Sequence, residues 1–419
     1  MVRFVHAADL HLDTPFTGLS NLNPDLAARL RQSTFESFDR IVDLCIAREA
    51  DFLVIAADIF DSENKSLAAQ VRFVSGLRRL SGAGIPVCFT CGNHDPADSW
   101  ITSLDMPENV LCFGTGEVES RMIEKEGRPA ARISGISYAE RAVTANLARR
   151  FPPADDPSVV SVAVLHGTVG RPGPHANYAP FSLEDIDGLR YDYWALGHIH
   201  RHRIVRSAGP AVVYPGNPQG RHFGETGPRG CCLVEAEAGR PPRIEFIPTH
   251  SIRFERIPLC LDSGEGPDAL EEKIEEALRE TDTDRKEESC ILRITLTGRT
   301  SFHSRFRNPE ELGHLVHELN AGRLCEETFR WVDSILVQTR PELDIEQLRN
   351  QNDFCAGVLK RFEEHEANPE KRDYLVRSAE KGLSGGVLRE RGAPDPAEDQ
   401  AVLDQARWLL LDELTKEKK

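Results

Sequence analysis

A chain of 419 residues exceeds one ordinary domain, and its 40% apolar content is enough for at least one large core. A formal charge of −16 excludes a protein that coats nucleic acid by bulk charge, but not a nuclease whose basic surface is local or whose site carries metal charge. The chain does not open on a basic-then-apolar leader, and no apolar run reaches the roughly 18 residues of a membrane span, so a cytoplasmic protein is expected.

In chain order, "RFVHAA" reads as a strand. A helix is predicted from Pro24 to about Glu49, with Asn23 as its cap and Leu26, Leu30, Phe38, Ile41, Val42 and Cys45 on one face. "DFLVIAA" is a continuous apolar run, as expected of a strand covered on both faces. A second helix is predicted from Leu67 to Leu80, closed by "SGAG". Strands follow at "IPVCFTC", "ARISGISY", "SVVSVAVL", "YDYWAL", "AVVYP" and "GCCLVEAE". Residues 1–250 therefore read as a layered α/β domain that becomes richer in strands. From 251 to 340 a β-α-β-α-β set predicts a small α+β capping domain. Residues 341–419 carry charged helical segments broken by "SGG" and "RGAPDPAED", a helical C-terminal region suited to docking a partner. Ten cysteines at irregular spacing do not form a disulfide framework. Cys88 and Cys91, though a CxxC pair, read as small buried thiols of a strand, as do Cys231 and Cys232.

Five of the apolar runs end alike. "VHAA" leads to Asp9 and His11, "LVIAA" to Asp58, and "VCFTCG" to Asn93, His94 and Asp95. "VAVL" leads to His166, and "YWALG" to His198 and His200. One histidine after a strand is ordinarily a satisfied polar group, but five such endings in succession point to one site, because ligands gather beyond the carboxyl ends of strands in layered α/β folds. Asp9, His11, Asp58, Asn93, His166, His198 and His200 offer oxygen and nitrogen donors and no thiolate. That set exceeds what one tetrahedral zinc takes and suits two ions such as Mn²⁺ or Fe²⁺. In "DLH" and "HIH" the i, i+2 spacing, in extended backbone, sends both side chains of each pair to one side.

The order D-x-H, Asp, GNHD, H-G, GHIH closely resembles the calcineurin-like metallophosphoesterases. "HAADLHLDTPF" and "YPGNPQGRHFGETG" resemble the SbcD-type DNA repair exonucleases, above all their YhaO subgroup. The resemblance implies a four-layer β-sandwich flanked by helices. It implies one metal held by Asp9, His11, Asp58 and His200, and a second by Asp58, Asn93, His166 and His198. His94 would donate a proton to the leaving group or stabilise charge, and Asp95 would fix its orientation. DNA as substrate, a homodimer and an SbcC-type (YhaN-like) coiled-coil ATPase partner are implied in the same way. Two positions depart from the family pattern. Ala57 stands where relatives usually have Gly, which is tolerable at negative φ, and Asp61 stands where some carry His and is left out of the ligand set.

Two divalent ions against Asp9 and Asp58 leave about +2 in the pocket, enough to attract a phosphodiester despite the global charge and to lower the pKa of a bound water. The expected reaction is metal-dependent phosphodiester hydrolysis, Mn²⁺ being the expected metal and DNA exonuclease or endonuclease action in repair the leading reading. Arg221 and His222, in the glycine-rich "NPQGRHFGETGPRG", are the candidate substrate-binding residues, although that segment is equally a tight turn between strands. "HRHRIVR" is a local basic cluster or a solvated strand edge. A phosphodiesterase or phosphatase on small nucleotides is the alternative, and a scaffold with a dead site is the non-enzymatic one.

Overall fold

The structure is a computed structural model that describes residues 1–16, 23–61, 66–96, 105–170, 177–283, 288–350, 354–366, 368, 406–411 and 414. Most of the expected C-terminal helical region after 366 therefore lies outside the described residues.

The chain begins β1 (Val2–Ala7), α1 (Pro24–Ala47), β2 (Phe52–Ala56), α2 (Leu67–Gly82), β3 (Val87–Thr90) and β4 (Val110–Cys112). It continues β5 (Glu119–Lys125), β6 (Arg128–Gly135), β7 (Val160–His166), α3 (Leu183–Ile186), β8 (Tyr193–Gly197), β9 (Arg203–Arg206), β10 (Ala211–Tyr214), β11 (Gly230–Ala236) and β12 (Arg243–Pro248). One six-stranded sheet has the order β12-β11-β1-β2-β3-β4 and a second has β5-β6-β7-β8-β10-β9.

The apolar runs explain the layering. In β2, Phe52, Val54 and Ala56 face the other sheet, while Leu53 and Ile55 face the helices. In β7, Val160, Val162 and Val164 meet Phe52 and Phe4 between the sheets, while Ala163 and Leu165 join Trp194 and Phe151 on the far side. These two strands bury both faces, so alternation of apolar with polar residues is absent from them, and helix–sheet–sheet–helix layers result. α1 starts where Asn23 Oδ1 accepts the N–H groups of Asp25 and Leu26, and it buries Leu26, Leu30, Phe38, Ile41, Val42 and Cys45. It ends two residues before the predicted Glu49, which has φ 51°.

The strands missed in sequence are β4 and β5, each at a sheet edge, while β9, also at an edge, is the solvated strand edge offered as one reading of its segment. β5 is mostly solvated and rich in charge, and β9 is the "HRHRIVR" segment, a partly solvated edge strand. The cysteines are free, with Cys88, Cys91, Cys231 and Cys232 buried in or beside strands.

The remaining elements are β13 (Ile252–Leu261), α4 (Pro267–Thr283), β14 (Ser289–Gly298), α5 (His303–Phe306), α6 (Pro309–Asn320), β15 (Arg330–Val337), α7 (Ile345–Asn350) and α8 (Phe354–Glu366). The three strands form a sheet in the order β13-β14-β15. By backbone proximity one compact unit comprises Met1–Pro258, Glu275–Thr295 and Gly313–Leu336. The other comprises Leu259–Ile274, Leu296–Leu312 and Val337–Lys419. Within the second, Lys273 Nζ reaches Glu265 at 2.6 Å and Ser263 Oγ reaches Glu342 at 3.1 Å.

Candidate metal centre

β1, β2 and β3 run parallel in one sheet, and β7 and β8 run parallel in the other. All five expected donor groups follow the carboxyl ends of these strands. Gly197 allows the two sheets to close there, since a Cβ on it would stand 1.8 Å from the Ala56 carbonyl oxygen.

Among the described residues, three sets of histidine and carboxylate ligand atoms lie mutually within 4.8 Å: Asp9, His11 and His200; His11, Asp58 and His94; and Asp9, Asp58 and His166. His200 Nδ1 stands 2.7 Å from Glu225 Oε1 and donates to it, leaving the Nε2 lone pair aimed at His11 Nε2, 3.3 Å away. His166 Nδ1 donates to the Ala56 carbonyl at 3.3 Å, which turns its Nε2 lone pair toward Asn93 Oδ1 at 2.8 Å and Asp58 Oδ2 at 3.4 Å. His11 Nδ1 is buried and faces Asp61 Oδ1 at 3.6 Å, just beyond hydrogen-bonding distance. His166 Nε2, Asn93 Oδ1 and Asp58 Oδ2 are thus acceptors facing one another in a buried site, which is costly unless a cation lies between them, so the donor set fits divalent metal.

His198 contributes to none of the three sets. Its backbone N–H donates to both Asp9 oxygens, at 2.9 and 3.1 Å, and its ring packs 5.2 Å from that of His166.

The electrostatics agree. Burial, and then the Asp58 carboxylate, hold Asp9 well above the usual carboxylate range. Burial also opposes charge on Asp58, but the His166, His11 and His94 imidazoles outweigh it and lower its pKa. Burial depresses His11 to about 3, helped by Arg221, and lowers His166 and His200. These imidazoles are therefore neutral at neutral pH, the form that can bind a cation.

His94 behaves oppositely. Burial alone would lower its pKa, but Asp61, with Oδ1 2.7 Å from His94 Nδ1, raises it. Asp61 also accepts from the Thr14 hydroxyl and stands 3.5 Å from Arg221, and its own pKa falls far below the usual range because His11 and His94 outweigh its burial.

Several expectations need correction. Asp95 does not orient the His94 ring: its carboxylate accepts the backbone N–H groups of Ile59 at 2.7 Å, Phe60 at 3.3 Å and Gly92 at 2.9 Å, tying the β3 turn to the β2 turn. Asp61, omitted from the site in sequence, takes that role. Ala57 does not have negative φ; it lies at 68°, and Asp58 follows at 50°. Nor does extended backbone align either pair: β1 ends at Ala7, Asp9 (φ 53°) and His11 (φ 43°) are both left-handed, and His198 of the second pair lies at φ 94°. Non-glycine residues in that region cost about 1–2 kcal/mol each, a strain that collects at functional sites.

Arg221 reaches the centre, while the His222 side chain is 63% exposed beyond it. Glu225 was missed, and only its place in "GETG", close after the basic pair, could have flagged it. Asp61 could have been found from its place three residues after Asp58.

Two family models match the chain. One, described as calcineurin-like phosphoesterase, covers residues 2–202, and the other, described as metallophosphoesterase YhaO, middle domain, covers 254–340. The uncharacterized metallophosphoesterase YhaO of Bacillus subtilis is 35% identical over 359 residues, covering 85% of this chain and 86% of that protein. The DNA double-strand break repair protein Mre11 of Sulfurisphaera tokodaii is 22% identical over 218 residues, 50% of this chain and 52% of that protein. The Haloferax volcanii protein of the same description is 25% identical over 306 residues, 71% and 62% respectively.

Proposed function

The chain belongs to the calcineurin-like metallophosphoesterases, with the YhaO protein among its relatives, and on that premise we propose that it is a nuclease hydrolysing phosphodiester bonds of DNA in repair. The observation that carries the reading is the convergence of buried, acceptor-facing donors beside an imidazole held by a carboxylate. Asp9, His11 and His200 would hold one cation, Asp58, Asn93 and His166 the other, with His198 steadying Asp9 and Asp58 able to reach both. Mn²⁺ is the expected metal, and Fe²⁺ suits the same donors. Bound there, two divalent cations supply positive charge against the phosphoryl group and lower the pKa of an attacking water.

The protein groups do the rest. Asp61 accepts from His94 Nδ1, so the exchangeable proton sits on Nε2, from which His94 protonates the departing oxygen. Arg221, largely enclosed between Asp61 and Glu225, presents a fixed positive charge for a phosphate oxygen. DNA as the substrate is supported by the Mre11 relatives. A second copy of the chain and a coiled-coil ATPase as partners rest on the sequence resemblance alone.

The test uses metal-stripped protein resupplied with Mn²⁺ and offered end-labelled duplex DNA, single-stranded DNA, cyclic nucleotides and an aryl phosphodiester. Mn²⁺-dependent shortening of the labelled DNA is expected. Turnover of cyclic nucleotides with none of DNA would move the assignment to a small-nucleotide phosphodiesterase.

A further inference from the structure

The loop "GNPQGRHFGETGPRG", residues 216–230, wraps one histidine from two sides. Asn217 N–H donates to the His200 carbonyl at 3.2 Å, and the Arg229 guanidinium donates to the same oxygen. The His200 ring is held from the same loop by Glu225, whose Oε1 accepts from Nδ1 at 2.7 Å.

Glu225 is only 5% exposed, and its acceptor capacity is filled. Oε2 accepts from Asn217 Nδ2 at 2.9 Å and from the Arg221 backbone N–H at 2.8 Å. Arg221 Nη2 lies 3.4 Å from Oε1 and 3.1 Å from His200 Nδ1, a donor beside the ring nitrogen that only the closer carboxylate, at 2.7 Å, can hold in its protonated form. From there the Arg221 guanidinium extends to Asp61 at 3.5 Å, and Asp61 holds His94. A continuous run of charged contacts thus joins the ring of His200 to the ring of His94.

We infer that Glu225 is a positioning residue: by accepting from His200 Nδ1 it fixes the ring's tautomer and aims the Nε2 lone pair at His11, setting the affinity of that end of the centre for a divalent cation. This deepens the metallophosphoesterase reading and rests on it. The chemistry is general, since a carboxylate behind a ligating imidazole locks its orientation and raises its basicity, and losing it costs roughly 10–100-fold in metal affinity. Glu225 Oε2 pins the loop while Oε1 is left for the His200 ring, and an amide could not do both: its NH₂ would face either the N–H groups of Asn217 and Arg221 or His200 Nδ1, where it would donate and move the ring proton to Nε2.

The experiment is calorimetric titration of the metal-free full chain with Mn²⁺, comparing wild type with Glu225→Ala and Glu225→Gln, each checked for folding by circular dichroism. Wild type is expected to take up two ions, and both variants to bind one of them about 10–100-fold more weakly. Imidazole nitrogen NMR of the metal-free protein is expected to show His200 protonated at Nδ1 in wild type and in mixed tautomers in Glu225→Ala. Unchanged affinity and an unchanged tautomer in a folded Glu225→Ala would overturn the inference, and if that variant does not fold, unchanged affinity in Glu225→Gln would do so. A wild type that takes up no divalent cation would instead defeat the assignment of the centre itself.

Discussion

The Asp61 carboxylate lies 2.7 Å from His94 Nδ1, whereas Asp95, adjacent to His94 in the chain, turns away to bind three backbone N–H groups. Charge on Asp61 therefore sustains the protonated form of His94. Asp61→Asn keeps the shape but removes that charge, and kcat is expected to fall about 10–100-fold with Mn²⁺ content unchanged. A series of aryl phosphodiesters checks this: the loss should grow as the leaving group becomes more basic. An equal loss for every leaving group would remove His94 from the role of proton donor.

His94→Ala and Asp58→Ala separate proton transfer from metal retention. His94→Ala should keep both metals and lose roughly 10²–10⁴ in turnover, the usual contribution of a positioned acid. Asp58→Ala removes the carboxylate that faces His166 and accepts the His94 backbone N–H, and should lose metal. Elemental analysis decides between them, and a His94→Ala protein emptied of both ions would reverse the assignment.

Ala57 and Gly92 make opposite predictions from one turn. At φ 68° Ala57 carries left-handed strain, so Ala57→Gly should stabilise the fold by about 0.5–1 kcal/mol in urea unfolding. A Cβ on Gly92 would stand 2.3 Å from Asp58 Oδ1, so Gly92→Ala should weaken metal uptake. A Gly92→Ala protein with normal Mn²⁺ affinity would show that Asp58 can move aside.

His6, fully buried between the sheets with Nδ1 3.0 Å from the Tyr193 hydroxyl, has its pKa lowered to about 3 by burial. The unfolded chain binds the proton first, so this contribution is complete above about pH 6.5 and is lost as pH falls toward 3. Between pH 7 and 5 the loss is about 2 kcal/mol. Urea unfolding at both pH values should show wild type losing that much more than His6→Gln, and equal losses would exclude His6 as the source.

The layered architecture was legible because β2, β3, β7 and β8 are uninterrupted apolar runs, and the donors were legible because they follow those runs directly. β5 was not, because an edge strand needs no apolar pattern when most of its residues face water. Asp61 and Glu225 escaped for a different reason. Their importance lies in which imidazole they face, and that contact is made across the fold: Asp61 meets a ring from another strand end, and Glu225 a ring 25 residues earlier. The left-handed φ at Asp9, His11 and Ala57 was equally hidden, since none is a residue type that announces it.

The centre draws Asp9, Asp58 and Asn93 from one sheet and His166 and His200 from the other, so its donors meet only once the two halves of the sandwich have docked. Any cation it takes acts as a rivet through that seam and has no counterpart in the unfolded chain. Its occupancy is then a component of folding stability: at a hundred times Kd an ion bound only to the native state adds about 2.7 kcal/mol. Metal starvation would thereby loosen the seam itself as well as silence the chemistry.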